Sequence, residues 1–175
     1  MLNPSCFDIS RYTSDGFRKV CDVRYYKYDK WYYENIDREI MYDSHKSWVY
    51  FIVVADKIVK CGETGNPLGI EGMWTYDVDL MESQPITGSK SRFGRLRTQC
   101  GDTDEYLRQS ILPWYNVGKP VTLWAKKCPL INVKVDILGE SKKTVATIHK
   151  NLELFYLNSF KHIGGCLPIC NKATK

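Results

Sequence analysis

Seven consecutive apolar or aromatic residues, Trp48-Val49-Tyr50-Phe51-Ile52-Val53-Val54, leave this part of the chain little conformational choice. A run rich in β-branched and aromatic side chains, with no polar alternation, reads as a strand covered on both faces. Ala55-Asp56-Lys57 supplies a turn, and Ile58-Val59-Lys60-Cys61-Gly62 returns as a second strand, so residues 48–62 predict a tight antiparallel hairpin. With the turn centred on Ala55, Tyr50 lies directly opposite Lys60, their Cβ atoms about 5 Å apart. A slip of one residue would send the two to opposite faces.

Around this hairpin the sequence changes character. Residues 1–46 form an aromatic-rich N-terminal extension, with Tyr25, Tyr26, Tyr28, Trp31, Tyr32, Tyr33 and Tyr42 interleaved with Lys and Arg. Such a segment either stacks on nucleic acid or packs over one face of the core. Residues 63–90 are broken by Gly65, Pro67, Gly69, Gly72, Pro85 and Gly88 and predict a long loop. A helix starts near Asp102 and ends at Pro113. Val121–Ala125 reads as a third strand and Ile131–Leu138 as another extended piece. A last helix runs from about Thr144 to Phe160, with Gly164-Gly165 stopping it. The pattern predicts one α/β (α+β) domain, residues 47–175, in which a small, mainly antiparallel central sheet is flanked by helices.

Composition narrows the class of partner. Against 20 acidic residues stand 25 Lys and Arg, a formal charge of +5 in 175 residues. That surplus permits a polyanion without demanding one. The local cluster Ser89-Lys90-Ser91-Arg92-Phe93-Gly94-Arg95-Leu96-Arg97 carries more weight, because phosphate binding needs cationic density at one place. Seven dispersed cysteines and the absence of a secretory signal predict reduced thiols and a cytoplasmic protein, in a host cytoplasm if the source is a phage. No apolar run approaches the roughly 20 residues of a membrane helix, so no membrane partner is expected. Gly62-Glu63-Thr64-Gly65 lacks the lysine and spacing of a phosphate-binding P-loop.

Read in order, these segments resemble the GIY-YIG nuclease superfamily. Its first name motif is represented by Trp48-Val49-Tyr50, which keeps the tyrosine, and its second by Lys60-Cys61-Gly62, which keeps the glycine. Ser91-Arg92-Phe93-Gly94-Arg95-Leu96-Arg97 is similar to the arginine helix, with Leu96 in the aromatic place. Leu152-Glu153-Leu154-Phe155 is similar to the glutamate helix, and Pro168-Ile169-Cys170-Asn171 to the Pro and Asn tail. The resemblance spans about residues 48–171 and rests on the order of the motifs, none being specific alone. Within the superfamily the chain is similar to phage endonuclease II-like enzymes and to GIY-YIG restriction endonucleases, where a lysine also occupies the second tyrosine position.

The resemblance implies a metal-dependent endonuclease acting on double-stranded DNA. Tyr50 is then the general base or water-positioning group, Lys60 its cationic neighbour, Arg92 the clamp on the scissile phosphate, and Glu153 the protein ligand of Mg²⁺ (or Mn²⁺). Gly62 is the structural glycine, and Lys90, Arg95, Arg97 and Asn171 are candidate DNA contacts. The chemistry is coherent: a tyrosine with an ordinary pKa near 10 needs cations beside it to act as a base at neutral pH. A lone hard carboxylate, with water and phosphate oxygens completing the shell, suits magnesium. Each residue also has a plainer reading. Tyr50 fits a core aromatic, Lys60 a strand-end solvated residue, Arg92 a basic surface on which Arg95 could replace it, and Glu153 an outward helix position. The altered second motif leaves open a non-catalytic nucleic-acid-binding module on the same fold. Cutting both strands with one site per chain would favour a homodimer or homotetramer.

Overall fold

The computed structural model describes residues 4–26, 30–74, 85–86 and 110–171. Two 3-10 turns, Pro4–Phe7 and Ile9–Tyr12, lead into strands β1 (Arg18–Tyr26) and β2 (Lys30–Glu34). A one-turn helix, α1 (Arg38–Met41), precedes β3 (Trp48–Val54), β4 (Lys57–Thr64), α2 (Gly69–Trp74) and the short β5 (Pro85–Ile86). Helix α3 is described over residues 110–116. Then come β6 (Val121–Lys127), β7 (Leu130–Ile137), β8 (Glu140–Thr147), α4 (His149–Ser159) and a π-helical turn, Phe160–Gly164.

Six strands form one sheet in the order β4-β3-β6-β1-β2-β5, and β7 and β8 form a separate two-stranded ribbon. Every described strand pair is antiparallel. This is the mixed α+β architecture, with a mainly antiparallel sheet and flanking helices, that the sequence pattern predicts. β3 lies between β4 and β6 and all seven of its residues are buried, because both faces are covered. One face packs Tyr50, Ile52 and Val54 with Ile40 and Met41 of α1, Ile70 of α2 and Ile111 of α3. The other packs Val49, Phe51 and Val53 with Cys6, Ile9 and Phe17 from the N-terminal turns and Tyr156 and Phe160 from the C-terminal helix. Phe17 stacks on Phe51 with ring centroids 4.0 Å apart, and Tyr156 meets both edge-on at 5.4 and 5.6 Å.

The hairpin register differs from the expected one. Its turn is the two-residue Ala55-Asp56, both with positive φ (47° and 67°), so Val54 pairs with Lys57. A bulge at Val59 then shifts the pairing again, and Tyr50 faces Gly62 while Lys60 faces Ile52. The turn and the bulge each displace the register by one residue. Two such shifts restore the original face, so Lys60 still shares a face with Tyr50, but diagonally rather than directly opposite.

Three further expectations change. Residues 144–147 belong to β8 and not to the last helix, because Thr144, Val145 and Thr147 pair along β7; the helix begins at His149 and the chain turns out through Gly165 (φ 74°). Helix α3 continues past Pro113 to residue 116, held by Ile111 in the core and by Leu112 and Tyr115 against it. Thr64 closes β4, and α2 and β5 occupy part of the expected 63–90 loop. The expected helix start near Asp102 lies outside the described residues. The N-terminal region does more than cover a face: β1 hydrogen-bonds β6 and β2 inside the main sheet. No helix among the described residues is long and apolar enough to cross a membrane.

Edge strand β4 is closed from both ends of the chain. Asp8 bridges Lys57, and Ile9 N–H donates to Asp56 O at 3.0 Å. From the C-terminus, Cys170 N–H donates to Val59 O at 2.8 Å. These contacts occupy backbone groups at the start of β4 that an open edge would offer to another strand.

Candidate active site

Tyr50 occupies a slot made by two small neighbours, with Gly62 its partner on β4 and Ala125 its partner on β6. Its ring lies across the glycine. A methyl group at position 62 would stand 2.7 Å from Tyr50 Cε1 and nearer still to Cζ and Oη, so a side chain there and this ring position exclude each other. The glycine of the second motif thus has a packing reason. Tyr50 is 0 % exposed. Lys60 is also buried, at 7 %, and projects from the same face as Tyr50, one pair further along β4. Its charge is felt by the Cys170 thiol, which burial nevertheless pushes up to about 11.

β4 carries alternate residues to the opposite face, where α4 lies. Glu153, half-buried on α4, stands close enough to Cys61 for its charge to add to the burial that pushes that thiol up. One turn earlier on α4, His149 is buried and bridges two elements. Its Nε2 lies 3.2 Å from Glu63 Oε2 and its Nδ1 3.3 Å from Ser47 Oγ. Gly65 is required here for the same reason as Gly62: a methyl group at 65 would approach His149 Cε1 to 2.8 Å. The start of the glutamate helix is therefore fastened to the end of β4 and to the residue preceding β3.

The structure thus gathers Tyr50, Lys60 and Gly62 on one side of β4, and Glu153 on the other. Arg92, Lys90, Arg95 and Arg97 lie outside the described residues. Asn171, a candidate DNA contact by sequence, has its side-chain amide bound to Cys61, accepting from Cys61 N–H and donating to Cys61 O, both at 2.8 Å. It acts as one more rung on the edge of β4. The sequence pattern does not single out Ser47 or Glu63; His149, four residues before Glu153, fits by sequence either a hydrogen-bonding neighbour of that glutamate or an ordinary surface histidine, and the structure buries it. A signal was present: Glu63 alternates with Gly62 on the strand, and His149 precedes Glu153 by one helical turn.

Bacteriophage T4 EndoII, solved as a mutant, matches 95 % of this chain and 99 % of its own at 13 % identity, with a TM-score of 0.58. The two chains share a fold. The restriction endonuclease HPY188I, solved in complex with product DNA, is also similar, at 20 % identity over 95 % of this chain and 87 % of that one, with a TM-score of 0.48. No protein family and no curated protein matches the chain by sequence.

Chemically, the site offers a buried phenol, a buried lysine on the same face of the sheet, and a carboxylate on the helix that packs on the opposite face. Among the described residues no group of three or more His, Cys, Asp and Glu side chains could hold a metal ion by itself. Glu63 is engaged by His149 at 3.2 Å, and Glu153 is the carboxylate that α4 carries one turn further on. One hard carboxylate fits Mg²⁺, which keeps several waters and accepts phosphate oxygens as ligands.

Proposed function

We propose that this chain is a metal-dependent DNA endonuclease of the GIY-YIG type, hydrolysing phosphodiester bonds of double-stranded DNA. The observation that carries the proposal is the placement of Tyr50 across Gly62 with Lys60 on the same face. The EndoII-like fold supports it. Tyr50 accepts the proton of the attacking water or orients that water, and Lys60 favours the phenolate. Arg92 clamps the scissile phosphate and offsets the charge that builds on its oxygens. Glu153 would hold Mg²⁺ or Mn²⁺, which when bound supplies Lewis-acid polarisation of the phosphate. His149 and Glu63 fix the helix that presents Glu153.

Supercoiled plasmid incubated with the protein in Mg²⁺ or in EDTA tests the proposal, with Glu153→Ala and Arg92→Ala alongside. Metal-dependent nicking, lost in both variants while each still melts cooperatively, is the expected result. The full burial of Tyr50 favours a second reading, a DNA-binding module without chemistry. Salt-sensitive DNA binding with no nicking in either Mg²⁺ or Mn²⁺ would overturn the enzyme and select that module.

A further inference from the structure

The β7–β8 ribbon stands apart from the main sheet and both its faces are open. Leu130, Ile131, Val135 and Val145 are exposed on it, and no residue of β8 is buried. A two-stranded ribbon alone in water is marginal, so its sequence should show what covers it. Lys134 pairs directly with Lys143, and like charges facing across a strand pair oppose its formation. Neither lysine enters an ion pair among the described residues, whereas Lys142 on the other face has Glu140 at 3.6 Å. A polyanion lying at this level of the ribbon would convert the repulsion into attraction.

The tip points the same way. Ile137 pairs with Glu140, so the loop is the two residues Leu138-Gly139, with φ of 53° and 80°. Such a turn favours Asn or Asp before Gly. Leucine lacks their left-handed tolerance, and this one is 100 % exposed. A strained, wholly exposed leucine fits poorly as a solvent-facing turn and well as an apolar wedge, the device with which DNA-bending proteins open base steps. Asp136 and Glu140 flank the tip, which confines phosphate contact to the Lys134–Lys143 level and leaves the tip contact apolar. Eight residues at about 3.3 Å each give a reach of about 25 Å, and a two-stranded ribbon is slender enough for a DNA groove. β8 continues through Ile148 directly into α4, so a duplex gripped by the ribbon is registered against Glu153.

We propose that the β7–β8 ribbon is a DNA-gripping arm, its Leu138 tip entering a groove of the duplex while Lys134 and Lys143 lie against the phosphates. This rests on the reading that the chain acts on DNA, but not on its cutting DNA. The test is fluorescence anisotropy of a labelled 30-base-pair duplex in EDTA over a series of salt concentrations, a length of about three helical turns. The wild-type protein is compared with the Lys134→Ala, Lys143→Ala double variant and with Leu138→Asn. The asparagine creates the Asn-Gly pair that this turn favours, so it keeps or improves folding while removing the wedge. The double variant should bind more weakly with a salt slope reduced by about two. Leu138→Asn should bind about tenfold more weakly, with an unchanged slope and a melting temperature no lower than wild type. Wild-type affinity in both variants overturns the arm. So does a change confined to oligomeric state in sedimentation, which would assign the ribbon to contact with a second copy. Ribbon-dependent binding by a protein that never nicks plasmid supports the arm and overturns the endonuclease.

Discussion

Substituting Gly62 by alanine tests the packing on which the site is built. The backbone at 62 is an ordinary strand conformation, outside the positive-φ glycines, so alanine there should by itself gain about 0.5–1 kcal/mol over glycine. Against this stands the Tyr50 ring, 2.7 Å from the new methyl at Cε1 and closer at two other atoms. The ring is fully buried between β4 and β6 and has no solvent to swing into. Overpacking costs about 1–3 kcal/mol, and three overlapping ring atoms put this case at the upper end, about 2–3 kcal/mol, leaving a net loss of about 1–2.5 kcal/mol. In a chain of this size that lowers the melting temperature by about 2–10 °C. Urea unfolding of Gly62→Ala, Tyr50→Leu and the double variant measures it. In the Tyr50→Leu background the clash is gone, so Gly62→Ala should be neutral or stabilising, with a coupling of about 1–3 kcal/mol across the pair. An equal cost in both backgrounds would refute the packing argument, as would no cost in the wild type.

Asn171→Ala should cost about 1–3 kcal/mol in urea unfolding by stranding the N–H and C=O of Cys61. Asn171→Asp should cost at least as much, because a carboxylate then faces the Cys61 carbonyl. The hydrogen bond from Lys127, at 2.7 Å, holds the Asp43 carboxyl below the usual carboxylate range. A depressed carboxyl contributes stability that is complete above its unfolded value and is lost as pH falls through its folded value. Lys127→Ala should therefore cost about 0.5–1 kcal/mol at pH 7, with the difference fading below about pH 4 in melting curves across pH. Alkylation followed by mass spectrometry should modify exposed Cys166 far ahead of Cys21, Cys61 and Cys170, which are fully enclosed and whose thiols burial pushes up. Rapid labelling of Cys61 in folded protein would contradict the closed edge of β4.

The sequence by itself determined the hairpin and the middle of the sheet. An uninterrupted apolar run has one stable destination, a strand covered on both faces, and Trp48–Val54 took it. The helix carrying Glu153 and the glycine stop beyond it were legible for the same local reason. The hairpin register was not, because a positive-φ turn at Ala55-Asp56 and a bulge at Val59 leave no mark on an apolar pattern, although together they set which residue Tyr50 covers. The boundary between β8 and α4 was decided by pairing: Thr144 and Val145 gain a partner strand in β7 that a helix would deny them. Long-range contact also decided what Gly62, Gly65, His149 and Asn171 do. Each acts through a residue distant in sequence or across a strand pair, and local spacing encodes neither. Tertiary structure likewise set the ribbon apart, by leaving it outside the main sheet with Leu138 in water.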